Sequence, residues 1–243
     1  MCGIVAADIK DIASDQIEGI KNILKETEIR GKHASGISWF SQGAVHTIKE
    51  AKPISELLED FDIYRCVDEN NGHLSMIAHI RYSTSDITNN QPIVEPIETD
   101  AGLRFNNVGG IGKFSIVHNG VITQSDPSTW EDLFGLGTTY SSNDSELIFN
   151  AFTKDIHPLS EFEDSSMAVA SINHLGQVHS FRNGKRPMWI TETYNGMIAS
   201  STSDIIVRSG LEYTEHYKSV PGVDYNLTAE TKLTIVKDME DLQ

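Results

Sequence analysis

The chain has 243 residues, 39% hydrophobic and 22% charged, enough to bury a full core as one domain. Its 19 basic and 35 acidic residues give a formal charge of −16, which opposes binding to nucleic-acid backbones and to anionic membranes. No apolar run approaches the roughly 20 residues that span a bilayer, and no basic region with an apolar core marks a secretion signal.

The two cysteines, Cys2 and Cys66, have neither metal-ligand nor disulfide-framework spacing, which fits a reducing, cytoplasmic setting. No repeat, low-complexity stretch or linker divides the sequence, so a single domain over 1–243 is expected. In chain order, residues 3–9 read as a short apolar strand. Asp15 and Glu18 have capping-box spacing, and Ile17, Ile20, Ile23 and Leu24 recur at helical intervals up to Arg30-Gly31. Residues 36–40 and 45–49 form a hairpin pair around Gln42-Gly43, and a second helix covers 54–61. A buried strand is expected at 74–80, then polar loops, then a strand at 114–117 that ends in the turn His118-Asn119-Gly120. Asn143 to Glu146 cap a helix carrying Leu147, Ile148, Ala151 and Phe152. Strands are expected at 167–172, 177–181, 188–190, 197–199 and 233–236, with a short helix at 203–208. Strands grouped at both ends with helices between them indicate an α+β fold with mainly antiparallel sheets. No Gly-rich phosphate loop follows a strand, so no nucleotide site is supported.

The chemistry begins at Cys2. Removal of Met1 exposes an α-amine whose reference pKa of about 7.7–8 leaves a useful fraction unprotonated near neutrality. That amine can take the thiol proton of its own residue, and the thiolate is the nucleophilic form. Arg81 stands where a buried strand gives way to a polar loop, and an arginine grips a carboxylate through two parallel hydrogen bonds. Asn119 and Gly120 place a side-chain amide beside a backbone N–H, two donors that can converge on one oxyanion. Asp144, at a helix start, suits an ammonium, although acidic residues there need no function. His79 and His118 lack a third ligand at zinc spacing, so no metal is assigned, and Cys66 reads as an inert thiol.

Taken in order, Cys2-Gly3-Ile4-Val5, Arg30-Gly31-Lys32-His33-Ala34-Ser35-Gly36, His79 through Thr84 with Gln91-Pro92, His118-Asn119-Gly120 and Asn143 through Glu146 resemble the class II glutamine amidotransferase family. The resemblance continues through Arg182-Asn183-Gly184-Lys185-Arg186-Pro187 and the weaker landmarks at Ala199-Ser200-Ser201 and Pro221-Gly222-Val223, so it spans essentially the whole chain. It implies a four-layer α-β-β-α sandwich of the N-terminal-nucleophile hydrolase type. It also implies hydrolysis of L-glutamine through a γ-glutamyl thioester on Cys2, with no cofactor. In that scheme Asn119 and Gly120 form the oxyanion hole, and Arg81 and Asp144 bind the substrate's α-carboxylate and α-ammonium. Tyr82 and Thr84 line the pocket, and Arg30 holds the N-terminal segment.

Relatives carry a synthase domain after the glutaminase domain. None is expected here, which implies a separate ammonia-accepting synthase as partner; the alternatives are a γ-glutamyl amide or peptide hydrolase and a catalytically silent binding subunit. The sequence departs from the family at three places: His33 stands at a usually acidic position, Ala6 replaces a frequent glycine, and Asn143-Asp144-Ser145-Glu146 replaces Ser-Asp-Thr-Glu. The stretch between Thr84 and His118 is longer than usual.

Overall fold

The structure, a computed structural model, describes residues 2–82, 114–139, 142–229 and 231–234. Its elements form four layers, helices outside two antiparallel sheets. The first sheet contains β1 (Gly3–Ile9), the hairpin β2 (Ala34–Ser41) and β3 (Ala44–Glu50), the short β4 (Val67–Asp68), and β5 (His73–Arg81). It continues with β9 (Trp189–Thr193), β10 (Gly196–Ser200) and β11 (Glu215–Lys218). The strand order is β11-β9-β10-β1-β5-β2-β3, with β4 also paired to β5. The second sheet is built from β6 (Phe114–Val121), β7 (Ser166–Asn173), β8 (Val178–Arg182), β12 (Val223–Asn226) and β13 (Thr231–Thr234), in the order β13-β12-β8-β7-β6.

Side-chain parity explains the layering. Along a strand successive side chains point to opposite faces. In β1, Val5, Ala7 and Ile9 pack with Ile20, Ile23 and Leu24 of helix α1 (Ser14–Thr27) and Leu57 of α2 (Ile54–Asp60). Ile4 and Ala6 face the other way, against Val117, Ala168 and Ala170 of the second sheet. The far face of that sheet, with Ile116, Val169 and Phe181, is covered by Leu147, Ile148 and Ala151 of α4 (Ser145–Thr153). Both faces of β1 are therefore buried, which is why it reads as a continuous apolar run. The short helices α3 (Trp130–Phe134), α5 (Pro158–Glu161) and α6 (Ser203–Ser209) complete the outer layers.

At the far end of β1 a polar cluster ties the sheets together. Asp8, 1% exposed, has one carboxylate oxygen 2.7 Å from His73 Nε2; the other accepts from Ser75 Oγ at 2.8 Å and from Thr228 Oγ1 at 2.9 Å. Thr228 in turn accepts the N–H of Val178 at the start of β8. The bond to Asp8 raises the His73 pKa, against the opposing effect of burial.

Several sequence expectations change. The first helix is capped not by Asp15 and Glu18 but by Gln16, whose side chain accepts the Ala13 N–H at 3.1 Å. His118-Asn119-Gly120 is not a turn: β6 continues through it, pairing Asn119 with Ala168 and Gly120 with Met167. The turn tendency of Asn-Gly yields to a full ladder with β7. Strands β11 and β12 were not expected, and the last strand is placed at Thr231–Thr234, with residues 235 and 236 outside the described residues. Thr84 and most of the long stretch before His118 also lie outside them. Among the described residues, no helix is long and apolar enough to cross a membrane.

Candidate active site

Cys2 sits one residue before β1, whose register is fixed on both sides by β5 and β10. Next to it, Ile4 donates its N–H to Ser201 Oγ at 2.7 Å and accepts the Ser201 N–H at 3.0 Å. Parity puts the half-buried Cys2 on the same inter-sheet side as Ile4, and its sulfur lies 3.9 Å from the Tyr82 carbonyl oxygen. Arg30 Nε donates to the Cys2 carbonyl at 2.8 Å. Two glycines make this approach possible. A Cβ at Gly3 would stand 2.2 Å from Thr27 Cγ2, and one at Gly31 would stand 2.3 Å from the Arg81 backbone. With Gly31 seated there, His33 donates its N–H to the Arg81 carbonyl at 3.1 Å, and its ring lies 5.0 Å from that of Tyr82.

Arg81 ends β5, is 7% exposed, and shares the inter-sheet parity of Ile77. Tyr82 is 49% exposed at the rim. Burial lowers the pKa of the Arg30 guanidinium, a negative charge on Cys2 opposes that shift, and the neighbouring Arg186 cation adds to it.

The second half of the site lies on β6. Ser115 and Val117 face the first sheet, Ser115 bonding Ser38 across the gap at 2.9 Å. Asn119 therefore points the same way, towards the layer that holds Cys2. It is 3% exposed, and its amide nitrogen has no hydrogen-bond partner among the described residues. Arg30 Nη2 is likewise buried without one. Gly120 is enforced by contact, because a Cβ there would fall 1.7 Å from the Ser166 carbonyl oxygen.

Asp144 does not cap α4 with its side chain. Asn143 does, its Oδ1 accepting the Ser145 N–H at 3.0 Å. Asp144 Oδ2 instead accepts the N–H groups of Ile122 at 2.5 Å and Thr123 at 3.2 Å, just beyond β6. The carboxylate is thus fastened to the chain that follows Asn119 and Gly120.

Arg186 joins the two halves, since its charge acts on both Arg30 and His118. Its turn is fixed by two buried residues. Asn183 donates to the Ser165 carbonyl at 2.7 Å and accepts the Met167 N–H at 3.1 Å, while Arg182 donates to the Arg186 carbonyl at 3.2 Å. The sequence motifs include both Arg186 and Ser201, but neither carried an assigned role.

The structure brings Cys2, Arg30, Arg81 and Tyr82 into one cluster and Asn119, Gly120 and Asp144 into another, and the Arg186 charge acts on Arg30 of the first and on His118 beside the second; Thr84 lies outside the described residues. Cys66 is fully buried, which pushes its thiol pKa well up and leaves little thiolate. Among the described residues, no group of three or more His, Cys, Asp or Glu side chains is placed to hold a metal.

No protein-family model matches the chain. The glutamine–fructose-6-phosphate aminotransferase of Bordetella pertussis is 29% identical over 151 residues, which is 61% of this chain and 22% of that protein. The same-named enzyme of Methanosarcina acetivorans is 31% identical over 158 residues, 65% of this chain and 22% of that one. That of Bacillus licheniformis is 25% identical over 231 residues, 88% and 34% respectively. The chain therefore matches only 22% to 34% of the length of these relatives. Among solved structures, the glutamine phosphoribosylpyrophosphate amidotransferase from B. subtilis superposes with a TM-score of 0.68 at 15% identity, over 98% of this chain and 50% of that one. A structure described as the allosteric regulatory enzyme of purine biosynthesis gives 0.69 at 13% identity, with the same coverage. At such identities the structural likeness speaks for the fold.

Proposed function

We propose that the chain belongs with the class II glutamine amidotransferases, and that it hydrolyses L-glutamine to glutamate and ammonia with Cys2 as nucleophile, a reading supported by its similarity to the glutamine–fructose-6-phosphate aminotransferases. One observation carries the reading most: Asn119 holds a buried amide donor without a partner among the described residues, on the face turned towards the Cys2 layer. An unpaired buried donor costs about 1–3 kcal/mol, so its retention calls for an acceptor that arrives with the substrate.

In the proposed reaction the free α-amine of Cys2, exposed by loss of Met1, accepts the thiol proton. Sulfur bonds to the side-chain carbonyl carbon of glutamine, and the oxyanion is received by Asn119 Nδ2 and the Gly120 N–H. Such donors each account for about 2.7–4 kcal/mol of the barrier. As the oxyanion collapses, the C–N bond breaks and the amine's proton passes to the departing nitrogen as ammonia. Water then cleaves the thioester, releasing glutamate and restoring the thiol. Arg81 grips the α-carboxylate, Asp144 receives the α-ammonium through Oδ1, and Tyr82 lines the pocket. Arg30, bonded to the Cys2 carbonyl at 2.8 Å, holds the nucleophile in place. The 243 residues act as one glutaminase domain whose ammonia passes to a separate synthase.

Intact-mass measurement before and after treatment with a diazoketone analogue of glutamine tests this. The expected result is a chain lacking Met1 that gains one label, mapped to Cys2. A retained Met1, or a label on Cys66, overturns the mechanism. Affinity purification that returns no ammonia-consuming enzyme, together with full glutaminase activity alone, overturns the partner.

A further inference from the structure

We propose that His118 is a positioning residue that locks the start of α4, and with it Asp144, to the strand bearing Asn119 and Gly120. Its effect on substrate binding rests on the glutaminase reading above; the lock itself does not.

Strand parity separates His118 from its neighbour. Asn119 faces the inter-sheet layer, whereas His118 shares the face of Ile116, which packs with Leu147 and Ile148 of α4. There His118 is 4% exposed, with Nδ1 2.8 Å from Ser145 Oγ and Nε2 3.4 Å from the Ser166 carbonyl oxygen. A carbonyl can only accept, so Nε2 carries the proton. Burial keeps the ring neutral by lowering its pKa, an effect the Asp144 charge opposes and the Arg186 cation reinforces. In a neutral ring protonated on Nε2, Nδ1 is an acceptor, and the Ser145 hydroxyl donates to it.

One ring thus spans two attachments. Ser166 is the residue whose carbonyl leaves no room for a Cβ at Gly120, so the Nε2 bond braces the oxyanion strand. Ser145 follows Asp144 directly, so the Nδ1 bond sets where that carboxylate stands. Asp144 closes the loop by accepting the N–H groups of Ile122 and Thr123, two and three residues past Gly120. The ammonium anchor and the oxyanion donors are consequently held as one rigid piece. The usual capping preference of a helix-start aspartate is given up to achieve it.

The test is Ser145→Ala, with Ser145→Thr as the variant that restores the hydroxyl. Two readouts are taken on the full chain, amide exchange by NMR and steady-state kinetics. Ser145→Ala should speed exchange at Ile122 and Thr123 about tenfold, the scale of one net hydrogen bond, and leave the β7 and β8 amides unchanged. It should also raise KM for glutamine about tenfold with kcat within threefold, while kcat/KM for glutaramate, which lacks the α-ammonium, stays the same. Ser145→Thr should restore both. Unchanged exchange at Ile122 and Thr123, or faster exchange spread through β7, overturns the proposal whatever the kinetics. If the exchange result appears but the wild-type chain cleaves neither substrate, the lock stands and the glutaminase reading fails. His118→Phe should reproduce the Ser145→Ala exchange pattern; should it not fold, Ser145→Ala decides alone.

Discussion

The inter-sheet space has a polar cluster at each end of β1, Cys2 at one and Asp8 at the other, six residues and about 20 Å apart along an extended strand. At the Asp8 end every contact is closed: two carboxylate oxygens meet His73, Ser75 and Thr228, and the cluster ties one sheet to the other. At the Cys2 end two buried donors, Asn119 Nδ2 and Arg30 Nη2, have no partner among the described residues. Burying polar groups costs free energy unless they are bonded, so the first end favours the fold and the second weakens it. The contrast separates stability from chemistry within one core. Substitutions at one end should change melting and leave the proposed reaction alone, and those at the other should do the reverse.

The sharpest way to break that contrast is Asn119→Ala. It should lower kcat for glutamine by about 10²–10³, the usual loss for one oxyanion donor, with a melting temperature unchanged or raised. A destabilised Asn119→Ala chain with normal turnover would erase the distinction. Asp8→Ala comes next: losing hydrogen bonds to a buried carboxylate should cost about 3 kcal/mol in urea unfolding, with kcat/KM at low temperature unaffected. Thr228→Val removes only the cross-sheet hydroxyl and should cost about 1 kcal/mol by the same measurement.

The smallest effects concern pH. His73 has a raised pKa through its bond to Asp8, so its contribution is complete below the ordinary histidine value of about 6.5 and is lost as pH rises through its folded value. His118 has a lowered pKa through burial, so the folded ring stays neutral where the unfolded one takes a proton, and stability falls as pH drops below about 6.5. Unfolding curves from pH 5 to 8 should therefore lose the alkaline decline in His73→Gln and the acid decline in His118→Asn. Slopes of the same sign would show that the two ends are not electrostatically distinct.

Much of the architecture was legible because burial leaves a periodic trace. Ile17, Ile20, Ile23 and Leu24 gave away α1, and the apolar run at 3–9 gave away the central strand. What escaped lacks such a trace. Strand β11 reads Glu-His-Tyr-Lys and lies at the sheet edge, where no side-chain pattern is required. Asn-Gly reads as a turn locally, and only the distant β7 keeps it extended. The ordered motifs picked out Cys2, Arg81, Asn119 and Asp144 as candidates. Arg30 was likewise expected to hold the N-terminal segment, but the attachments to Ser201 and to the residues after β6 depend on contacts between elements remote in sequence. Arg186 escaped for the same reason, since its proximity to Arg30 and His118 follows from a turn held by Arg182 and Asn183.

The double pairing of β1 makes the sheet a counting device. Gly3 and Ile4 are pinned against Ile80 and His79, and Val5 is pinned against Ser200 as well, so the chain cannot slide to accommodate a change in length. One residue inserted between Cys2 and Gly3 would carry the sulfur about 3.3 Å further out and turn it towards the opposite face, while the paired residues stay in register. No side-chain replacement elsewhere could undo that displacement. The spacing between the thiol and the first paired residue is thus as much a part of the proposed site as the thiol itself, and it is encoded by length rather than by any residue type.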